Sequence, residues 1–305
     1  MKTLRTLAAS PHNVVAVVTE GIGGLSDAAT VAGVASRLGY RLWPACQVKE
    51  NGFAEIVRQE GVDLLLNVHA LYVLPADVVA APRIGSFNLH PGPLPRYAGL
   101  NAPSWAIYHG EQSHAVTVHW MERGIDTGPI AYEARLAIED DDTGLTLSAK
   151  CVRAGIPLLH NLLQAAAKGT VPRHPQPRLV RRYYGREVPQ EGRLFWTDSA
   201  ARVVNFIRAC DYLPFNSPWG YPRAYLRGCE VSVLKAMRTG EQSDAPAGTV
   251  GWRLGGEVLV AAGDEWVRVR RVQVGNSTFP AAEVLRPGDR FAVPTGSEEL
   301  SHAIR

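Results

Sequence analysis

The chain is 305 residues long, 46% hydrophobic and 20% charged, with a net charge of +3. That length holds about two domains, and the composition excludes a disordered chain while supplying apolar material for full cores without a disulfide or metal staple. The excess charge sits in one stretch: residues 1–172 carry 13 basic and 15 acidic side chains, residues 173–186 five arginines and no acid, and residues 187–305 14 of each, whereas a nucleic-acid binder spreads its basic residues over a face.

Residues 2–9 read as the end of a helix with no strand before it, so the first strand of a doubly wound domain is either absent or upstream. Residues 13–19 (NVVAVVT) read as a buried strand, rich in β-branched residues. The run Gly21-Ile22-Gly23-Gly24 has the wrong spacing for a dinucleotide fingerprint. A helix is predicted over 26–38, capped by Ser26 and stopped by Gly39. A short strand at 42–48, a helix at 53–61 and buried strands at 62–68 and 84–90 follow. A Pro/Gly-rich loop, Pro91 to Asn101, leads to a helix at 104–109, a strand at 115–121, a turn-rich loop at 124–129 and a strand at 130–136. Residues 143–168 have a long helical pattern interrupted by Pro157. The fold class is therefore α/β, with a doubly wound, Rossmann-like, mostly parallel sheet.

Residues 172–186 (PRHPQPRLVRRYYGR) carry three prolines and no apolar periodicity, the marks of a linker. Beyond them Asp198 caps a helix to Cys210, and short strands at 224–226, 230–236, 249–254, 257–262 and 265–274 suggest a small β-barrel. The expected division is a domain over 1–171, a linker over 172–188 and a barrel over 189–305. Cys46, Cys151, Cys210 and Cys229 form no C-x-x-C pair, which fits free thiols in a reducing compartment. Pro11, His12 and Asn13 interrupt any signal-peptide core, and residues 62–81 hold too many polar side chains for a membrane span. The protein is expected in the cytoplasm, with no membrane partner.

Ligands of such sheets bind beyond the carboxyl ends of the strands. Asn88 and His90 stand there, two apart on one strand and so on one face. A carboxamide donates to a developing oxyanion, and an imidazole handles a proton near neutral pH. Asp126, in the next turn-rich loop, supplies a carboxylate to orient the ring and raise its pKa. Singly, each residue is as well explained by a structural histidine, a turn or a cap; the three together carry the reading. No metal-ligand spacing is present.

The runs Ser86-Phe87-Asn88-Leu89-His90-Pro91-Gly92-Pro93-Leu94-Pro95, Val116-Thr117-Val118-His119-Trp120-Met121 and Gly124-Ile125-Asp126-Thr127-Gly128-Pro129 resemble the 10-formyltetrahydrofolate-dependent formyltransferase superfamily. The tail RACDYLPFNSPWGYPRAYL resembles the small C-terminal OB-like barrel of its methionyl-tRNA and sugar branches. The resemblance implies a folate-dependent N-formyltransferase in which His90 moves the amine proton, Asn88 steadies the oxyanion and Asp126 raises the His90 pKa. It implies a pterin held by Tyr72, Val73 and Leu74 and by Glu122, Arg123, Gly124 and Ile125. The sequence departs from the methionyl-tRNA branch: no G-T-P-x-F-A opening, no early basic insertion, and a charge-neutral C-terminal region. The style is closer to formyltransferases of specialised metabolism, which implies a small-molecule, sugar-nucleotide or carrier-bound aminoacyl amine as acceptor, with a carrier protein as a partner and tRNA disfavoured. Methionyl-tRNA formylation, a related hydroxymethyl or formyl-CoA transfer, and a non-catalytic folate-binding module remain as alternatives.

Overall fold

The computed structural model describes residues 1–20, 30–68, 70 and 72–292. Ser26 and Gly21-Ile22-Gly23-Gly24 lie outside the described residues. In chain order the elements are α1 (Lys2–Ala8), β1 (Val17–Thr19), α2 (Val31–Arg37), β2 (Leu42–Pro44), α3 (Phe53–Gln59), β3 (Leu64–Val68), α4 (Ala76–Val79), β4 (Gly85–His90) and β5 (Ala98–Gly99). There follow α5 (Ala102–Tyr108), β6 (Ser113–Trp120), β7 (Ile130–Ala137), α6 (Gly144–Ala167), β8 (Tyr183–Tyr184) and α7 (Ala200–Cys210). The described chain closes with β9 (Arg223–Leu226), β10 (Cys229–Gln242), β11 (Val250–Leu254), β12 (Glu257–Ala261), β13 (Glu265–Val274), β14 (Ser277–Pro280) and α8 (Ala281–Val284).

Two compact units result. One comprises Met1–Gly99, Ala115–Leu136 and Ala149–Tyr183; the other comprises Leu100–His114, Ala137–Ser148 and Tyr184–Arg305. The first unit is α/β and Rossmann-like. β1 and β2 pair in parallel, and a sheet of order β3-β4-β6-β7 is parallel at β3–β4 and antiparallel at β4–β6. Helix α2 starts where the Thr30 side chain accepts from the Gly33 N–H at 3.0 Å. It ends before Gly39, whose φ of +74° is the left-handed stop glycine accommodates.

Alternation along β4 divides the sheet's faces. Phe87 and Leu89 point into a core with Val116, Val118, Ala131, Cys151, Leu158 and Leu162. Asn88 and His90 therefore point to the opposite face. Helix α6 covers the core face and runs through Pro157 as one helix. It comes close because residue 155 is glycine: a Cβ there would lie 2.9 Å from the Leu89 side chain. A separate cluster of Val48, Phe53, Val57 and Val78 gathers Tyr72 and Leu74.

In the second unit α5 and α7 pack together, with Trp105, Tyr108 and Trp219 in ring contact. Ser199, rather than the expected Asp198, caps α7 by accepting from the Arg202 N–H; Asp198 instead accepts from the Gln190 amide at 2.9 Å. The expected small β-barrel is built from an antiparallel sheet of order β11-β12-β13-β10-β9, with β14 on β13. Its outer strands do not pair with each other. The stretch 289–292 serves both edges instead: the Val250 N–H donates to Asp289 O at 2.8 Å, and the Ala292 N–H to Tyr225 O at 2.8 Å.

Leu89 is 2% exposed at the centre of the first core. Leu89→Ala is expected to cost about 2–5 kcal/mol of unfolding free energy, read by urea denaturation. A loss below ~1 kcal/mol would mean that this packing does not hold the sheet.

Candidate active site

The site is built on the face of β4 opposite the core. Asn88 and His90 project from it, and the antiparallel register places His119 of β6 directly across from Asn88 and Thr117 across from His90. Two loops fold over this face. In the loop after β4, the Thr117 hydroxyl donates to Gly92 O at 2.7 Å, and the chain then brings Tyr97 O and the Gly99 N–H to the site. The loop after β6 carries Asp126, 7% exposed, with its backbone in the left-handed region at φ +52°.

Asp126 is the hub. Its Oδ1 accepts from Asn88 Nδ2 at 3.2 Å and lies 3.2 Å from His119 Nε2. Its Oδ2 accepts from the Gly99 N–H at 2.8 Å and lies 3.5 Å from His90 Nδ1. The structure thus brings together Asn88, His90 and Asp126, and adds His119.

Hydrogen-bond chemistry assigns the rings. His90 Nε2 faces Tyr97 O at 2.6 Å, and a carbonyl only accepts, so Nε2 carries a proton. Nδ1 is then the proton-accepting atom of the neutral ring. His119 Nδ1 donates in the same way to Trp120 O at 2.7 Å. His119 Nε2 is left 3.2 Å from both Asn88 Nδ2 and Asp126 Oδ1. It accepts from the amide when the ring is neutral, and donates to the carboxylate when the ring is charged.

Burial opposes ionisation of Asp126, yet His90, the His119 hydrogen bond and the Gly99 N–H outweigh it and hold the carboxyl well below the usual carboxylate range. For His90 burial is the largest effect, although Asp126 pulls the pKa up as expected. Burial pushes the imidazole down, and the opposing pull of Asp126 and Tyr97 O does not offset it, so the ring lies below the ordinary histidine value. His90 is therefore neutral at pH 7, the form in which it accepts a proton.

Among the remaining expected residues, Tyr72 and Leu74 pack against the Val48–Phe53 cluster, while Val73 is 63% exposed. The Tyr72 hydroxyl donates to Glu20 at 2.7 Å. Glu122 pairs with Arg173 at 3.9 Å, Arg123 is exposed, Gly124 O accepts from the Thr127 hydroxyl at 3.1 Å, and Ile125 O accepts from Arg181 at 2.8 Å. Among the described residues the backbone N–H groups of Val73, Leu74 and Glu122–Ile125 have no acceptor. No group of described residues could hold a metal ion, and no described helix is long and apolar enough to cross a membrane. His119 was not singled out from sequence. Its signal was its place two residues after Thr117 on a strand whose alternate positions, Val116 and Val118, are apolar.

A carboxamide, two imidazoles and a carboxylate on one face of a Rossmann-like sheet suit the transfer of an acyl group. Residues 3–163 match the family of formyl transferases, and residues 188–287 match the formyl transferase C-terminal domain. A methionyl-tRNA formyltransferase from Methylobacterium sp. (strain 4-46) is 34% identical over 303 residues, 95% of each chain. Among solved structures, an N-formyltransferase from Helicobacter canadensis in complex with folinic acid and dTDP-3-aminofucose superposes with a TM-score of 0.68 at 16% identity, over 88% of this chain and 94% of that one. HypX from Aquifex aeolicus in complex with tetrahydrofolic acid has a TM-score of 0.61 at 18% identity, over 82% of this chain but 43% of its own, so this chain spans less than half of HypX. The chain belongs to the formyl transferase family.

Two outcomes are expected. The acid limb of the kcat/KM–pH profile lies below about 6.5, the ordinary histidine value, and Asp126→Asn moves it lower still, because the lost negative charge had favoured the imidazolium. A limb above that value, or one unmoved in the variant, would remove the His90–Asp126 pairing. Gly128 shapes the same loop: a Cβ there would stand 2.0 Å from Trp120 O. Gly128→Ala should displace Asp126 and lower kcat by about 10²-fold with an unchanged circular dichroism spectrum; full activity would show that the loop tolerates the shift.

Proposed function

We propose that the chain transfers a formyl group from 10-formyltetrahydrofolate to a primary amine, with Asn88, His90 and Asp126 carrying the reaction. The observation behind this reading is the convergence of His90 Nδ1 and Asn88 Nδ2 on one buried carboxylate. The unengaged N–H groups at 73–74 and 122–125 suit the heteroatom edge of a planar ring such as the pterin of a folate donor. The donor supplies an activated formyl carbon.

His90 Nδ1 accepts the proton of the acceptor amine as the new C–N bond forms. Asn88 turns the amide proton that faces His119 in the resting site to the formyl oxygen as negative charge develops there. Asp126 faces the imidazolium and lowers its energy. His90 then returns the proton to the donor nitrogen as the old C–N bond breaks, so charge and protons balance over the cycle.

The acceptor is read as a small-molecule, sugar-nucleotide or carrier-bound amine of specialised metabolism. What supports this is the charge distribution of residues 187–305. Arg238 pairs with Glu265, Arg268 and Arg270 with Glu257, Arg227 with Asp289 and Arg223 with Glu230, which leaves a weak field for a tRNA backbone. A second reading, methionyl-tRNA formylation, is favoured by the full-length likeness to the Methylobacterium enzyme.

Tetrahydrofolate release, followed by ultraviolet absorbance, tests the donor chemistry with each class of amine. His90→Ala and Asn88→Ala are each expected to lower turnover by about 10²–10⁴-fold; near-wild-type rates in both would end the mechanism. Tight binding of initiator methionyl-tRNA that weakens steeply between two salt concentrations would reverse the choice of acceptor.

A further inference from the structure

We propose that Gln176 is a positioning residue that holds the Asp126 carboxylate against His90, a role that rests on the proton transfer proposed at His90. Asp126 stands in the left-handed region at φ +52°, a single-residue conformation that aspartate tolerates, and the direction of its carboxylate follows from where the loop backbone on either side is held. Gln176 gives that support. Its Nε2 donates to Asp126 O at 3.0 Å and to Gly128 O at 2.6 Å, which uses both amide protons on the carbonyls that flank Thr127. Arg181 donates to the next carbonyl, Ile125 O, at 2.8 Å.

The amide has one sensible orientation. Turned over, Oε1 would face two carbonyl oxygens. As it stands, Oε1 is buried without a hydrogen-bond partner. A buried acceptor left unpaired is costly, so the two loop bonds hold the side chain where its own oxygen gains nothing.

The segment that carries Gln176 is itself fastened at both ends. His174 and Ile130 exchange backbone bonds of 2.8 and 2.9 Å, and Arg182 bonds Pro95 O at 3.1 Å and the Ala98 N–H at 3.0 Å. Residues 174–182 therefore form a strap from the start of β7 to the loop that supplies Tyr97 O and Gly99 N–H. Both loops that touch His90 and Asp126 are tied to it.

The test compares Gln176→Met, which keeps the length and loses both donors, with Gln176→Lys, which keeps a donor of similar reach, and with Asp126→Asn. The readouts are kcat at saturation, the KM of the acceptor, the pH of the acid limb and the melting temperature. For Gln176→Met the expected result is a fall in kcat of about 10–100-fold, a little-changed KM, and an acid limb moved down in the direction of Asp126→Asn. Gln176→Lys should recover most of kcat with the limb near wild type, and this variant decides the matter if Gln176→Met does not fold: a folded but inactive Gln176→Lys overturns the proposal. So does wild-type kcat with an unmoved limb in Gln176→Met while Asp126→Asn is impaired. An Asp126→Asn enzyme as active as wild type would instead overturn the proton-transfer reading itself.

Discussion

A carboxylate taken out of water is costly unless charge and hydrogen bonds surround it, and Asp126 is the group for which the first unit is arranged. Each of its oxygens has one hydrogen bond from the chain and one imidazole nearby. Removing any of these would leave part of the charge uncompensated. The histidines depend on it in turn, since each has already spent one ring nitrogen on a backbone carbonyl. The buried charge therefore dictates the path of two loops and the register of two strands.

The sheet makes this affordable. One face of β4 and β6 is dry, packed by α6, and supplies the apolar burial that stabilises the unit. The other face is free to be polar because the strand period is two. Antiparallel pairing at this position sets His119 beside Asn88 without any loop having to deliver it. The two residues that need adjustable placement, Asp126 and the Gly99 N–H, come from loops, each bound to something rigid: Thr117 for one, Gln176 for the other.

Much of this was legible in the residues. The strand at 265–274 is dense in β-branched and aromatic side chains, the one at 84–90 is closed by the turn-forming Pro91-Gly92-Pro93, and both lie where expected. Asn88 and His90 share a face because they are two apart, which needs no tertiary knowledge. His119 was not found because its importance comes from strand order and direction, which local pattern does not carry. The cap of α7 was misassigned between two adjacent capping-type residues; Ser199 took the helix, and Asp198 was drawn to Gln190. β14 was not predicted because polar Ser277 and Thr278 and terminal Pro280 carry no strand pattern of their own; pairing with β13 makes them a strand. The stretch 172–186 looks like a tether because prolines break its periodicity, yet single side chains within it, Gln176 above all, bond the Asp126 loop. The net effect on His90 was also out of reach, since the depth of burial that outweighs a neighbouring charge is a property of the packed fold.

In the second unit, one short run of backbone occupies the hydrogen-bonding rims of both β9 and β11. An open antiparallel sheet offers unpaired amides to any passing strand, a standing invitation to intermolecular stacking. Residues 289–292 withdraw that invitation on two sides with a handful of peptide groups, bridging Leu226 at one edge and Thr249 at the other. Main-chain atoms make that protection, and two side chains hold the run in place: Phe291, 1% exposed and in ring contact with Trp196, and Asp289, paired with Arg227 at 3.1 Å.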